Sequence, residues 1–137
     1  MKCVLDASVV IKWFVREDDS ERAMKILTEY NQGKTEIAIP ELLIYEMANV
    51  LRYNPLFSYN DTLTVIRVIH NLELDIVDIP ELILEEAIGF SYERKISFYD
   101  ALYIAVAKQT GYEFITADEK LYDAVSDLPF ARLLRNL

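Results

Sequence analysis

Short apolar segments alternate with longer segments of helical periodicity along this chain. The first apolar segment, KCVLD, is followed by EIAIP, LDIVDIP and YEFIT, and a weaker one, FARLL, stands near the end. Segments of this length and composition are typical of buried β-strands, and the longer segments between them predict helices. Strands separated by helices run parallel, and a parallel sheet is covered by helices on both faces. The alternation therefore predicts an α/β fold built on a parallel sheet.

Size and composition are those of one compact domain, which we expect to span residues 1–137. One cysteine excludes an internal disulfide framework and a thiolate zinc site, and it suits a reducing cytosol. The start, MKCVLDASVV, places Asp6 inside what would be the apolar part of a signal peptide. No apolar run approaches the roughly 18–20 residues that a membrane helix needs. We therefore expect a cytoplasmic protein with no membrane partner.

Four acidic residues stand in otherwise apolar surroundings, where a charged carboxylate is costly unless something pairs with it. Asp6 ends the first strand in CVLDAS, and Asp118 follows the fourth strand in FITADEKL. Glu46 interrupts the apolar helix LIYEMANVL, and Asp100 begins the helix in ISFYDALYIAVAK. Sites in open parallel sheets form at the carboxyl ends of strands. If the first and fourth strands are neighbours, Asp6 and Asp118 meet at one edge, and the helical acids can lean toward it.

Clustered carboxylates repel and desolvate one another, and a hard divalent cation relieves that conflict. Mg²⁺ and Mn²⁺ prefer carboxylate and water oxygens, and such ions assist in-line displacement at phosphorus. Oxygen ligands without a His or Cys cluster therefore point to phosphate chemistry. The sole histidine, His70, lies in a helix remote from all four acids, which argues against catalysis by histidine.

The net charge of −9 argues mildly against a general nucleic-acid binder, which usually carries a basic surface. It does not exclude an enzyme that holds divalent cations in a carboxylate pocket and meets a polyanion through them. Lys12, Arg16 and Arg52 are candidate phosphate contacts near the acids.

The motifs around these acids resemble the PIN domain family and, within it, the VapC-type toxin ribonucleases of toxin–antitoxin pairs. The resemblance runs from CVLDASVVIKWF through IPELLIYEMANVL and ISFYDALYIAVAK to FITADEKL. Each motif alone is weak, but the four in this order and spacing are specific together. The resemblance implies a three-layer α/β/α sandwich with a central parallel sheet in the order 3-2-1-4-5, which places the first and fourth strands side by side.

The family pattern also implies roles for particular residues. The expected catalytic and metal-binding acids are Asp6, Glu46, Asp100 and Asp118, and the expected supporting residues are Ser8, Asn49 and Thr116. Asn49 completes an E-x-x-N spacing, and the two hydroxyl residues match positions that arrange the acids or the attacking water. Glu119 and Asp123 lie close to Asp118, and either could share its role.

Each acid also has a structural explanation. Asp6 and Asp118 stand where a side chain can cap the following helix. Asp100 stands where a negative charge favours the helix dipole, with Ser97 as the better cap. Glu46 is the hardest to explain in this way, because apolar residues surround it and only a polar partner would account for it.

The resemblance implies a Mg²⁺- or Mn²⁺-dependent endoribonuclease that cuts single-stranded or structured RNA and leaves a 5′-phosphate and a 3′-hydroxyl. It further implies a homodimer and a cognate antitoxin that occupies the acidic groove with a basic side chain. Two alternatives stay open: a PIN-like DNA nuclease, and a regulatory or scaffolding PIN module with little activity.

Overall fold

The computed structural model describes residues 1–137 and contains one parallel sheet of five strands. The strands are β1 (Lys2–Leu5), β2 (Glu36–Pro40), β3 (Asp75–Val77), β4 (Glu113–Thr116) and β5 (Ala131–Leu133). Their order across the sheet is β3-β2-β1-β4-β5, and every neighbouring pair is parallel. The predicted strand order is confirmed, and with it the adjacency of the first and fourth strands.

Seven helices flank the sheet. They are α1 (Ala7–Val10), α2 (Ser20–Asn31), α3 (Leu42–Tyr53), α4 (Tyr59–Asn71), α5 (Glu81–Arg94), α6 (Phe98–Thr110) and α7 (Glu119–Val125). Two 3₁₀ turns, Ile11–Trp13 and Leu134–Asn136, complete the chain. The predicted three-layer α/β/α class is confirmed. None of the helices combines the length and the apolar composition needed to cross a bilayer.

The helix α6 is the most deeply buried helix of the structure. Seven consecutive residues, Ala101–Ala107, are buried, so the middle of the helix is enclosed on all sides. It packs against α5 and against β1, β2 and β4. Alanine at several of these positions allows this close approach, and a helix that is apolar all round is stable only when buried in this way. The helix that carries Asp100 is thus fixed to the centre of the sheet.

The register of β1 against β4 determines which residues meet at the carboxyl edge. Cys3 lies opposite Glu113, and Leu5 lies opposite Ile115. The residues that follow, Asp6 and Thr116, therefore emerge side by side. The helix α1 begins at Ala7 and its N-cap is Asp6, whose side chain accepts a hydrogen bond from the backbone N–H of Ser8, so the structural explanation given for Asp6 is observed.

Gly111 ends α6 with φ of +72°, a left-handed conformation that strains any residue with a Cβ atom. We predict that Gly111→Ala lowers the free energy of unfolding by about 1 kcal/mol. Gly89→Ala is the matched control, because Gly89 lies within α5 with open space around it, and alanine is expected to stabilise that helix by roughly 0.5–1 kcal/mol. Urea unfolding of both variants measures the free energies of unfolding. Equal changes in Gly111→Ala and Gly89→Ala would contradict the requirement for glycine at position 111.

Candidate active site

Asp6 stands at the centre of the carboxyl edge, where its carboxylate is held by two hydroxyl groups. Its side chain is only 5% exposed. Oδ1 accepts a hydrogen bond from the Ser8 hydroxyl at 2.5 Å and from the Ser8 N–H at 3.1 Å. Oδ2 accepts a hydrogen bond from the Thr116 hydroxyl at 2.6 Å. Because a carboxylate oxygen has about two acceptor positions, Oδ1 is fully engaged, whereas Oδ2 accepts one hydrogen bond and keeps one position for a cation.

The same two hydroxyl groups connect the loops that follow β1 and β4. Ser8 Oγ lies 3.3 Å from Thr116 Oγ1 and accepts a hydrogen bond from the N–H of Ala117 at 2.9 Å. Thr116 Oγ1 accepts a hydrogen bond from the N–H of Asp118 at 3.1 Å. The predicted supporting residues Ser8 and Thr116 thus join Asp6 to the backbone of Asp118 in one network.

Glu46 is half-buried in the second turn of α3, and its polar partner is a tyrosine of α6. Glu46 Oε1 accepts a hydrogen bond from the hydroxyl of Tyr103, with 2.5 Å between the two oxygens. The Tyr103 side chain is completely buried. Tyr103 was not among the residues expected from the sequence, because a tyrosine among apolar helix residues resembles an ordinary core aromatic. The available signal was that a buried hydroxyl needs a partner, and Glu46 also needed one.

Asp100 lies in the first turn of α6 and is half-buried. Ser97 is the N-cap of this helix, since its hydroxyl accepts a hydrogen bond from the N–H of Asp100 at 3.0 Å. The predicted capping role of Ser97 is therefore confirmed.

Asp118 is exposed and is the N-cap of α7, where its Oδ1 accepts a hydrogen bond from the N–H of Leu121 at 3.0 Å. The structural explanation for Asp118 is thus observed. It does not exclude a second role, because Oδ2 makes no hydrogen bond within the protein.

The remaining sequence candidates lie outside this network. Asn49 is exposed on α3, one turn beyond Glu46, and makes no hydrogen bond to the four acids. Glu119 forms an ion pair with Arg135. Asp123 is exposed on α7 and has no ion-pair partner. Of the two acids that could share the role of Asp118, Glu119 is therefore already paired with an arginine side chain, and Asp123 is not paired.

The acids of the site influence one another electrostatically. The pKa of Asp6 is raised to about 6, because burial and, to a smaller extent, the charge of Asp100 outweigh the lowering effect of the Ser8 and Thr116 hydrogen bonds. Burial, followed by the charge of Asp100, raises the pKa of Glu46, although the Tyr103 hydrogen bond opposes the shift. Burial and the charge of Asp118 raise the pKa of Asp100, against the hydrogen bond with Ser97. Asp100 is thus the acid that interacts with each of the other three.

No cationic side chain neutralises these carboxylates. None of the ion pairs of the structure includes Asp6, Glu46, Asp100 or Asp118. No three acidic, histidine or cysteine side chains are already arranged around one ion position. An oxygen-only donor set of this kind fits Mg²⁺ or Mn²⁺, because such ions keep several water ligands and need only one or two carboxylates.

The basic residues expected near the site have other partners. The Nζ of Lys12 lies 3.2 Å from Glu17 Oε1, and the Lys12 side chain is only 11% exposed. Arg16 lies 3.8 Å from Glu21 and is largely exposed. The guanidinium of Arg52 stands over the ring of Tyr53, 5.2 Å from its centre. Arg16 and Arg52 remain accessible to phosphate, whereas Lys12 would first have to leave Glu17.

Comparison with known proteins identifies the family of this chain. The model of the PIN domain family matches residues 3–126 of the chain. The chain belongs to the PIN domain family. Ribonuclease VapC3 of Pyrobaculum aerophilum is 26% identical over 126 residues, which are 88% of this chain and 92% of that protein. The family resemblance expected from the motifs is thus confirmed.

Solved structures of this PIN fold include proteins of low sequence identity. A toxin–antitoxin complex from Klebsiella pneumoniae matches with a TM-score of 0.72 at 18% identity, covering 96% of this chain and 97% of that one. VapC20 of Mycobacterium tuberculosis, described as a sarcin-ricin loop cleaving toxin, matches with a TM-score of 0.69 at 15% identity, covering 89% and 94%. These likenesses support the fold.

The raised pKa of Asp6 predicts how stability depends on pH without divalent cations. The folded-state pKa of about 6 exceeds the unfolded value of roughly 3.9, so the folded protein binds more protons between these values. The contribution of Asp6 to the free energy of unfolding therefore falls as pH rises from about 4 to 6, by the order of 2–3 kcal/mol. We predict that Asp6→Asn, which keeps a capping side chain, removes this part of the pH dependence.

Urea unfolding in EDTA between pH 4.5 and 7.5 measures the effect as the difference between wild type and Asp6→Asn. The variant should gain stability relative to wild type as pH rises. An unchanged difference across this range would contradict the assignment of the raised pKa to Asp6.

Proposed function

We propose that this PIN domain protein is a metal-dependent endoribonuclease of the VapC type, acting in the cytoplasm as the toxin of a toxin–antitoxin pair. The observation that carries the proposal is the set of four like-charged carboxylates, three of them buried or half-buried, of which none has a cationic partner within the protein. Repulsion of this kind costs stability, and a bound divalent cation would remove the cost.

Asp6, Glu46, Asp100 and Asp118 are the residues that would hold Mg²⁺ or Mn²⁺. When bound, such an ion lowers the pKa of water and stabilises negative charge on phosphate oxygens. Ser8 and Thr116 keep the Asp6 carboxylate in one orientation through their hydrogen bonds. Hydrolysis by this route is expected to leave a 5′-phosphate and a 3′-hydroxyl.

RNA is the proposed substrate because Ribonuclease VapC3 is the relative that matches across most of both chains. The net charge of −9 then does not oppose RNA binding at the site, since the bound ion would neutralise the acidic residues there before a phosphate enters. A DNA nuclease would use the same acids. A scaffolding module would have no need of carboxylates whose burial raises their pKa values.

Cleavage of a panel of structured single-stranded RNAs tests the proposal. We predict cutting with Mg²⁺ or Mn²⁺, none in EDTA, and a loss of at least about 100-fold in Asp100→Asn, because Asp100 is one of the carboxylates that would hold the ion. Asp75→Asn is the matched control. Asp75 is exposed and begins β3, so it lies at the amino ends of the strands, away from the carboxyl edge that carries Asp6. Sequence-matched DNA strands distinguish the two nucleases.

Equal cutting by wild type and Asp100→Asn would identify a contaminating nuclease and remove the support for the proposal. Cutting of the DNA strands alone would favour the DNA nuclease. Binding of metal without cutting of any strand by wild type would favour the scaffolding module.

The proposed toxin has two protein partners, a second copy of itself and a basic antitoxin segment. Exposed Leu84, Ile88 and Tyr92 recur every four residues on α5 and give an apolar stripe that a second copy could cover. The acidic site favours a partner with a basic side chain.

We predict that sedimentation velocity gives twice the chain mass of 15.9 kDa at micromolar concentration; a monomer would contradict the expected homodimer.

A further inference from the structure

Tyr103 is the one polar side chain in the completely buried stretch of α6. Its hydroxyl makes a single hydrogen bond, to Glu46 Oε1. Phenylalanine would supply the same ring to the core without a hydroxyl that must be satisfied. The hydroxyl therefore serves its partner rather than the packing of the helix.

The hydrogen bond between Tyr103 and Glu46 is short and charge-assisted. The oxygens are 2.5 Å apart, within the range of hydrogen bonds from a hydroxyl to a carboxylate. Such a bond fixes the rotation of the Glu46 carboxylate and occupies Oε1. Oε2 makes no hydrogen bond within the protein, so this is the oxygen that the contact leaves available.

Tyr103 also links the position of Glu46 to that of Asp100. Asp100 and Tyr103 are three positions apart on α6, and residues at this spacing lie on the same face of a helix. One face of α6 therefore carries Asp100 itself and the group that orients Glu46. Because residues 101–107 of α6 are buried, Tyr103 holds the Glu46 carboxylate from a firmly packed segment next to Asp100.

We propose that Tyr103 is a positioning residue that holds Glu46 so that its free oxygen and the Asp100 carboxylate face a divalent cation together. The inference rests on the proposed function, because Glu46 and Asp100 are assigned there as metal ligands. Tyr103 itself touches neither metal nor RNA. Loss of a partner that orients a ligand typically lowers metal affinity by 10–100-fold.

The test is calorimetric titration of Mn²⁺ into the full chain, comparing wild type, Tyr103→Phe, Glu46→Gln and the double variant. We expect Tyr103→Phe to weaken Mn²⁺ binding about 10-fold and to have no further effect in the Glu46→Gln background. Tyr112→Phe is the matched control, since the Tyr112 hydroxyl donates to Glu36 Oε2 at 2.8 Å near the opposite edge of the sheet. It should bind Mn²⁺ as wild type does.

Unchanged Mn²⁺ affinity in Tyr103→Phe, or losses that multiply in the double variant, would overturn the inference, as would a wild type that binds no Mn²⁺. Wild type that binds Mn²⁺ but cuts no RNA would count against the proposed nuclease alone, and the affinity comparison would still decide the role of Tyr103. Circular dichroism monitors folding, and Tyr103→Leu provides a second variant without the hydroxyl should Tyr103→Phe not fold.

Discussion

The carboxylate of Asp6, buried at the end of β1, is the constraint on which this edge of the sheet depends. Its charge is tolerated only because Ser8 and Thr116 donate hydroxyl hydrogen bonds to both of its oxygens. Ser8 belongs to the turn after β1 and Thr116 to the end of β4, so the bonds form only when these strands are neighbours in the observed register. The hydrogen bonds that stabilise the Asp6 carboxylate therefore depend on the strand order that places β1 beside β4.

The alternation of strands and helices, the N-cap Ser97 and the stop at Gly111 could be predicted from the sequence, because each depends on residues close together in the chain. The strand order could not be derived in that way. Asp6 and Thr116 are 110 positions apart, and no local pattern reports their contact. Only the resemblance to the PIN domain family implied that order.

The side-chain contacts of Ser8 and Tyr103 could not be predicted from the sequence, and the cause is the same for both. The first helix begins at Ala7, so Asp6 is its cap and Ser8 is free to turn toward Asp6 and Thr116. Tyr103 was passed over because its neighbours are apolar, although its hydroxyl meets Glu46 across 57 positions. In both cases a polar group takes its role from a distant partner, and only the folded arrangement identifies that partner.

The four acids differ in how firmly the protein holds their carboxylates, and the hold weakens from the buried Asp6 to the exposed Asp118. Asp6 is buried with both oxygens hydrogen-bonded, Glu46 and Asp100 are half-buried, and Asp118 is exposed with one oxygen engaged in capping α7. A carboxylate held from both sides keeps its position whether or not an ion is present. An exposed carboxylate can adjust to a ligand at lower cost, because water stabilises it in every orientation. This gradient therefore places the rigid acids against the sheet and the adaptable acid at the solvent-exposed surface.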